Sequence, residues 1–371
     1  MLTQLQLRNF RCFAALRVDL AGGYNFFIGP NGGGKTSILE AACVLLRLQS
    51  QRSSTLAPLI KTGQKAFALA GRYHDHLLEF RHRGLRRTLA FDHVAQRETG
   101  EYLQIGRVVS FANTDIELAR GGSESRRRFL DFLGSQIETS YRPALRAYER
   151  ALRSRNALLK SAQPKPRELA AYDPPLLEHG AKLSALRVRL VERLAPFASN
   201  AHREISDSKE MLRVHFVPGN ADDFAADLAR HRTEELRLRQ TLVGPHRDDI
   251  GLSIDAMPAS QYASEGQQRT VVLALKIAQA RVFAAEESRW PLLLIDDIFG
   301  ELDPQRRNRL LLALPADAQK LVTATSMAWQ VSETNGPLFR LADGELRAEE
   351  SRFWDSGKVA SVRRQASQLC L

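Results

Sequence analysis

The sequence predicts an α/β fold in which one parallel-sheet domain is split by a helical insertion, in the order α/β, α, α/β. Three observations predict it. Short strand-like segments near the start (LTQLQL, AALRVDL, GYNFFIG) run into a glycine-rich turn and then a helix, KTSILEAACVLLRL. From about Thr114 the pattern changes to long helical periodicity. After Leu238 strand signals resume with DIGLSI, and the apolar run PLLLIDD leads to further helix and strand through LVTATS. The boundaries read this way are a first half over 1–115, an insertion over 116–238 and a second half over 239–371. Three consecutive domains would leave a last block too short for an α/β core of its own.

Within the insertion, Leu145, Tyr148, Leu152 and Leu159 share one helix face, and Leu183, Leu186, Leu190, Leu194 and Phe197 mark a second amphipathic helix. SAQPKPRE breaks the first, and YDPP interrupts again near Pro174. Two such helices joined through prolines predict an antiparallel arm.

Composition narrows the function classes. No apolar run approaches the ~20 residues of a membrane span, and MLTQLQLRNFRCF lacks the apolar core of a signal peptide. Cys12, Cys43 and Cys370 show neither paired nor metal-like spacing. A soluble cytoplasmic protein with no membrane partner is expected. The net charge of +11 points to a polyanion, although arginine-rich composition alone would produce it. With only 7% aromatic residues, phosphate contacts are favoured over base stacking.

GPNGGGKT matches G-x-x-x-x-G-K-[ST] in full, after an apolar strand and before a helix. Gly29, Pro30, Asn31, Gly32, Gly33 and Gly34 form a loop whose backbone N–H groups can wrap a β-phosphate. Lys35 supplies charge to the β/γ oxygens, and the Thr36 hydroxyl can ligand Mg²⁺. A nucleoside triphosphate, ATP with Mg²⁺, is the expected cofactor. Its second half should be an apolar strand ending in a carboxylate. Leu292–Ile295 supplies the strand, Asp296 the metal ligand, and Asp297 the group that orients or deprotonates the attacking water. Asp297 is one methylene shorter than a glutamate, so slow turnover is expected. A solvated Asp-Asp turn would be the plain alternative without the loop.

SEGQQRT opens a nearly all-apolar helix just before that strand. A core helix with a polar start explains Val272, Leu275 and Val282, but not Ser264, Gly266, Gln267 and Gln268 together. The order of P-loop, Ser-x-Gly-Gln helix and acidic strand is that of ATP-binding cassettes. More narrowly, LRNFRCF, GPNGGGKTSILEA, GGSESRRRFLD, YERALRSRNALLK, LVGPHRDDI, SEGQQRTVVLALKIA and LLLIDDIFGELDPQRR run through the whole chain, and with them it resembles the RecF family of bacterial recombinational-repair ATPases. The resemblance implies an ABC-type, SMC-like ATPase head with an inserted helical arm. It implies an ATP-dependent homodimer, paired head to tail, in which Ser264, Gly266, Gln267 and Gln268 face the γ-phosphate held by the other copy. Asp303 falls at the family's D-loop position, facing the dimer interface. Double-stranded and gapped DNA, and the proteins RecO and RecR, are the implied partners in loading RecA during replication, repair and the SOS response. The sequence departs from the family at three places. FANTDI replaces the usual Pro-Glu-Asp around Asn113 to Asp115. TATSMAWQV has no switch histidine, leaving Thr325 or Ser326 to stand in. Ser37 follows the loop where many relatives carry Asn.

Arg142, Arg146, Arg150 and Arg153 are spaced to line one helix face, the candidate DNA contacts, with Arg126 to Arg128, Arg155, Lys160, Lys165 and Arg167 beside them. A solvated face partly compensated by Glu138 and Glu149 is the competing account. GPHRDD reads as a charged turn, with His246 a structural hydrogen bonder by default. Two other functions share the motifs. The nucleotide-binding subunit of a transporter would carry a fuller Leu-Ser-Gly-Gly-Gln signature. An ATPase-linked nuclease would need a metal-binding acidic domain after ELDP. A long-armed chromosome ATPase is excluded by the short insertion.

Overall fold

A computed structural model describes residues 1–53, 55–206, 210–327, 335–342 and 345–349. The chain forms two compact units, Met1–Thr114 with Phe283–Leu371, and Asp115–Val282.

Among the described residues of the first unit, six strands make the sheet that carries the nucleotide motifs. Their order is Glu345–Glu349, Leu338–Ala342, Tyr24–Ile28, Lys320–Ala324, Leu292–Asp296, Val108–Ala112. All neighbours are parallel except the edge pair Leu338–Ala342 and Glu345–Glu349. The inner strands are almost entirely buried because both faces are covered, and most of their residues are apolar. A second, antiparallel sheet starts from Phe13–Asp19, Leu2–Phe10 and Ala66–Tyr73 and continues through His76–Arg83, Arg86–Phe91 and Val94–Gln96. The helix Lys35–Arg47 packs against strands of both sheets, so nearly every residue in it is buried. Ala41, Ala42 and Cys43 keep it thin enough to fit there. Gln319 ties the sheets together by pairing with both backbone groups of Leu2, at 2.6 Å each.

In the second unit the helices Tyr141–Leu159 and Asp173–Ile205 pack on each other. Pro174 and Pro175 stand in the first turn of the longer helix, where a missing N–H costs nothing, so YDPP starts this helix rather than interrupting it. DIGLSI does not rejoin the parallel sheet. As Asp249–Ile254 it pairs antiparallel with Leu212–Val217 and with Met257–Pro258. The compact unit therefore extends to Val282, past the boundary at 238 expected from sequence.

The face of Tyr141–Leu159 turned inward carries Ala144, Tyr148, Ala151, Arg155 and Leu159. Arg155 is thus no part of an exposed basic stripe. It is fully buried, with Glu235 at 2.5 Å, Asp173 at 3.1 Å and the Thr241 hydroxyl at 2.7 Å. GPHRDD closes the same core. Asp248 is buried and takes hydrogen bonds from Arg187 at 3.0 Å and the Gly219 N–H at 2.8 Å. Asp249 is gripped by both arms of Arg126, at 2.6 and 2.9 Å. Gly244 has φ +122, and a Cβ there would lie 2.8 Å from the Tyr148 hydroxyl. His246 bridges Tyr148 at 2.7 Å and the Thr241 carbonyl at 2.9 Å. The carbonyl can only accept, so Nε2 donates to it and Nδ1 accepts from Tyr148. Only a neutral ring can do both.

Both buried polar groups have measurable consequences. Burial pushes the His246 pKa down to about 4, whereas in the unfolded chain it stays near 6.5. Its contribution is complete above pH 6.5 and is lost as pH falls toward 4, because the unfolded state then binds the extra proton. Urea titrations should show the stability gap between wild type and His246→Gln narrowing by about 2 kcal/mol across that window. Arg155→Ala leaves Glu235 buried and unpaired, so it should cost about 3–5 kcal/mol, while Arg146→Ala on the exposed face should cost under ~0.5 kcal/mol.

Candidate nucleotide site

The loop Gly29–Thr36 leaves the end of Tyr24–Ile28 and turns into the helix Lys35–Arg47. Gly32 and Gly34 have φ +79 and +101, conformations in which only glycine is unstrained. A Cβ on Gly34 would sit 2.6 Å from the Cys12 sulfur, and one on Gly29 would sit 2.2 Å from the Leu341 carbonyl oxygen. Gly32 is thus required by turning, Gly29 by packing and Gly34 by both. Lys35 is buried, its ammonium donating to the carbonyls of Gly29 at 2.6 Å and Pro30 at 3.0 Å. Burial lowers its pKa, and the carboxylates of Asp297 and Asp296 oppose that shift. Ser37 is buried in the helix, its N–H closing the turn on the Gly34 carbonyl at 2.9 Å.

Residues far apart in sequence meet at the C-terminal ends of the parallel strands. Asp296 Oδ1 accepts from the Thr36 hydroxyl at 2.8 Å and from the Thr323 hydroxyl at 2.7 Å. Thr323 sits opposite Asp296 in the neighbouring strand. Asp297 follows in the left-handed region, φ 54, with its N–H on the Thr323 carbonyl at 3.2 Å. For a residue with a Cβ this is an uncommon conformation, held here by strand and loop. Burial raises the Asp297 pKa; Lys35 pulls it down and Asp296 pushes it up. A carboxyl so placed gains basicity, which suits proton abstraction from water.

Thr36 and Asp296 bring a loop hydroxyl and a carboxylate together at this point, and no group of three His, Cys, Asp or Glu fit to hold a metal occurs among the described residues. That donor set fits Mg²⁺, which takes one or two protein oxygens and completes its shell with phosphate and water.

Thr323 and Asn113 had no role assigned from sequence. Thr323 becomes visible only once the strand order is known. Asn113 donates to Glu301 at 2.9 Å and toward the Asp297 carbonyl at 3.4 Å, so the departing FANTDI segment still reaches the acidic strand end. Thr325 and Ser326 are both exposed beyond Lys320–Ala324. Asp303 caps the helix Pro304–Ala313 through the Arg306 N–H at 2.9 Å, which lowers its pKa.

In the second unit, Ser264 and Gln267 form a capping box at the start of Glu265–Glu287. The Ser264 hydroxyl accepts from the Gln267 N–H at 3.3 Å, and the Gln267 side chain takes the Ser264 N–H at 2.7 Å. Gln268 is buried, donating to the carbonyls of Ala259 and Ala263 at 3.3 and 3.2 Å. Local structure therefore does account for Ser264, Gln267 and Gln268, contrary to the expectation that a core helix would leave them unexplained. On Tyr141–Leu159, Arg146, Arg150 and Arg153 are exposed and Arg142 is half-buried. Arg153 faces Glu149 at 3.6 Å, and Arg126 is spent on Asp249. No helix among the described residues is long and apolar enough to cross a membrane.

Residues 1–335 match the family model described as the RecF/RecN/SMC N terminal domain. The DNA replication and repair protein RecF of Symbiobacterium thermophilum is 39% identical over 344 residues, 88% of this chain and 92% of its own. That of a Cyanothece species is 37% identical over 346 residues, again 88% and 92%. A solved structure of the recombination mediator protein RecF with ATP, of the RecFOR pathway, superposes with a TM-score of 0.84 at 29% identity, covering 94% of this chain and 97% of that one. An SMC head bound to a domain of ScpA gives 0.55 at 16% identity, covering 94% and 96%, a likeness of fold alone. Motifs, fold and full-length similarity agree: the chain belongs to the RecF family of DNA replication and repair proteins, with an SMC-head-like ABC ATPase fold.

Proposed function

We propose that this chain is an ATP-switched DNA clamp of recombinational repair. The observation that carries the reading is the contact of Thr36 with Asp296, which brings loop and acidic strand to one point beside Lys35. Loop N–H groups from Gly29 to Thr36 hold the β-phosphate, and Lys35 leaves its carbonyl partners for the β/γ oxygens. Thr36 and Asp296 hold Mg²⁺, which when bound neutralises charge on the phosphates. Asp297 orients and deprotonates the attacking water. Its short side chain keeps turnover slow, so bound ATP outlasts assembly.

Ser264, Gly266 and the helix start behind them receive the γ-phosphate of a second copy, with Asp303 at the shared interface. The homodimer so formed closes on double-stranded or gapped DNA. Arg142, Arg146, Arg150 and Arg153 supply phosphate contacts that carry no sequence information. Hydrolysis releases the DNA. The RecF of the superposed structure is assigned to the RecFOR pathway, which supports RecO and RecR as partners here and the loading of RecA as the outcome. The cytoplasm is the compartment in which this would occur.

Sedimentation velocity with and without ATP tests the switch. Wild type should pair only with ATP; Lys35→Ala should neither bind ATP nor pair. Asp297→Asn should bind ATP and stay paired, its hydrolysis reduced about a hundredfold. Ser264→Arg should bind ATP as a monomer and fail to pair. An ATP-independent oligomeric state in wild type would sink the mechanism. For the arm, replacing Arg142, Arg146, Arg150 and Arg153 by Ala should weaken DNA binding equally across sequences. The slope of log K against log salt should flatten by about 0.9 for each phosphate that the arm no longer neutralises.

A further inference from the structure

The signature segment is tied to a carboxylate from outside its helix. Glu210, two residues before the strand Leu212–Val217, is half-buried, and its Oε1 accepts from Gln267 Nε2 at 2.8 Å. The same Gln267 amide holds the Ser264 N–H with its oxygen at 2.7 Å, while its backbone N–H lies on the Ser264 hydroxyl at 3.3 Å. One amide therefore bridges Ser264 and Glu210. At the same helix start Glu265 pairs with Arg269 at 2.9 Å. Nearby, His202 is fully buried on Asp173–Ile205, and neither of its ring nitrogens has a protein partner. Burial lowers its pKa against the fields of Glu210 and Asp255. Asp255 is engaged with the Met211 N–H at 2.9 Å.

We propose that Glu210 is a positioning residue which acts through Gln267, holding the signature segment in its self-capped form and setting how much ATP is needed for two copies to pair. The inference rests on the assignment of Ser264 to the γ-phosphate of a second copy. A phosphate that takes the Ser264 N–H and hydroxyl displaces the Gln267 oxygen, and the amide must turn. Its turning strips Glu210 of a donor while a second anion arrives beside it. Both effects oppose pairing, and both originate in one carboxylate.

Glu210→Gln tests this, because glutamine keeps an oxygen for Gln267 and removes only the charge. The ATP concentration for half-maximal pairing, read by sedimentation velocity at low salt, should fall about tenfold relative to wild type. The ratio should shrink toward one in molar salt, where charge is screened and packing is not. ATP binding to the unpaired chain, read by calorimetry in the Ser264→Arg background, should be the same with or without the Glu210 change. Equal midpoints for wild type and Glu210→Gln, or a difference that ignores salt, would overturn the role given to Glu210 and leave the pairing mechanism standing. No ATP-driven pairing in wild type would overturn the Ser264 assignment and this inference with it.

Discussion

Everything at the nucleotide site depends on one acceptor. Asp296 Oδ1 receives the hydroxyls of Thr36 and Thr323, from the loop helix and from the adjacent strand. Thr36 and Asp296 lie 260 residues apart. The contact forms only if Tyr24–Ile28, Lys320–Ala324 and Leu292–Asp296 lie side by side and in parallel. Everything between them, the whole second unit included, must leave and return without disturbing that register. This explains why the inner strands are short, mostly apolar and covered on both faces. It also explains the small residues Ala41 and Ala42 in the helix Lys35–Arg47: one large residue at either would push the loop off the strand ends.

The same dependence decides what could be read from sequence. The loop was legible because its geometry is local, glycines for turning and a lysine and threonine at fixed offsets. Asp296 was legible because a buried parallel strand is a continuous apolar run, and its exit is the only place for a charge. Thr323 was not, since its contact with Asp296 comes from strand adjacency, and no local pattern records which strands are neighbours. The end of the insertion was misplaced for a related reason. DIGLSI carries the alternation of a strand, but alternation does not say which sheet it joins, and its partner is Leu212–Val217.

Helix periodicity was informative about the arm, and it did not support grouping Arg155 with the exposed arginines. Arg142, Arg146, Arg150 and Arg153 do share a face. Arg155 falls instead on the track of Ala144, Tyr148, Ala151 and Leu159. Its side chain enters the core because Glu235, Asp173 and Thr241 wait there, contributed by later segments. Buried arginines of this kind sharpen geometry more than they add stability. His246 acts likewise: its two hydrogen bonds fix Tyr148 and the Thr241 carbonyl relative to each other, so GPHRDD is a brace of the second unit.

The start of Glu265–Glu287 shows that a local explanation and a functional one need not compete. A side-chain cap is worth about 1 kcal/mol, and a charge-assisted bond from the same donors to a phosphate oxygen is roughly twice as strong as a neutral one. A capping box is therefore a good resting state for an anion site. It keeps Ser264 and the first turn ordered, so a phosphate meets donors already in place. Its displacement also has a cost, so weak or misplaced anions do not open it. A helix with no cap would bind any anion, and one capped by an aspartate would repel them all. Ser264 and Gln267, both neutral, lie between these limits, and the Gln267 amide is also held by the carboxylate of Glu210.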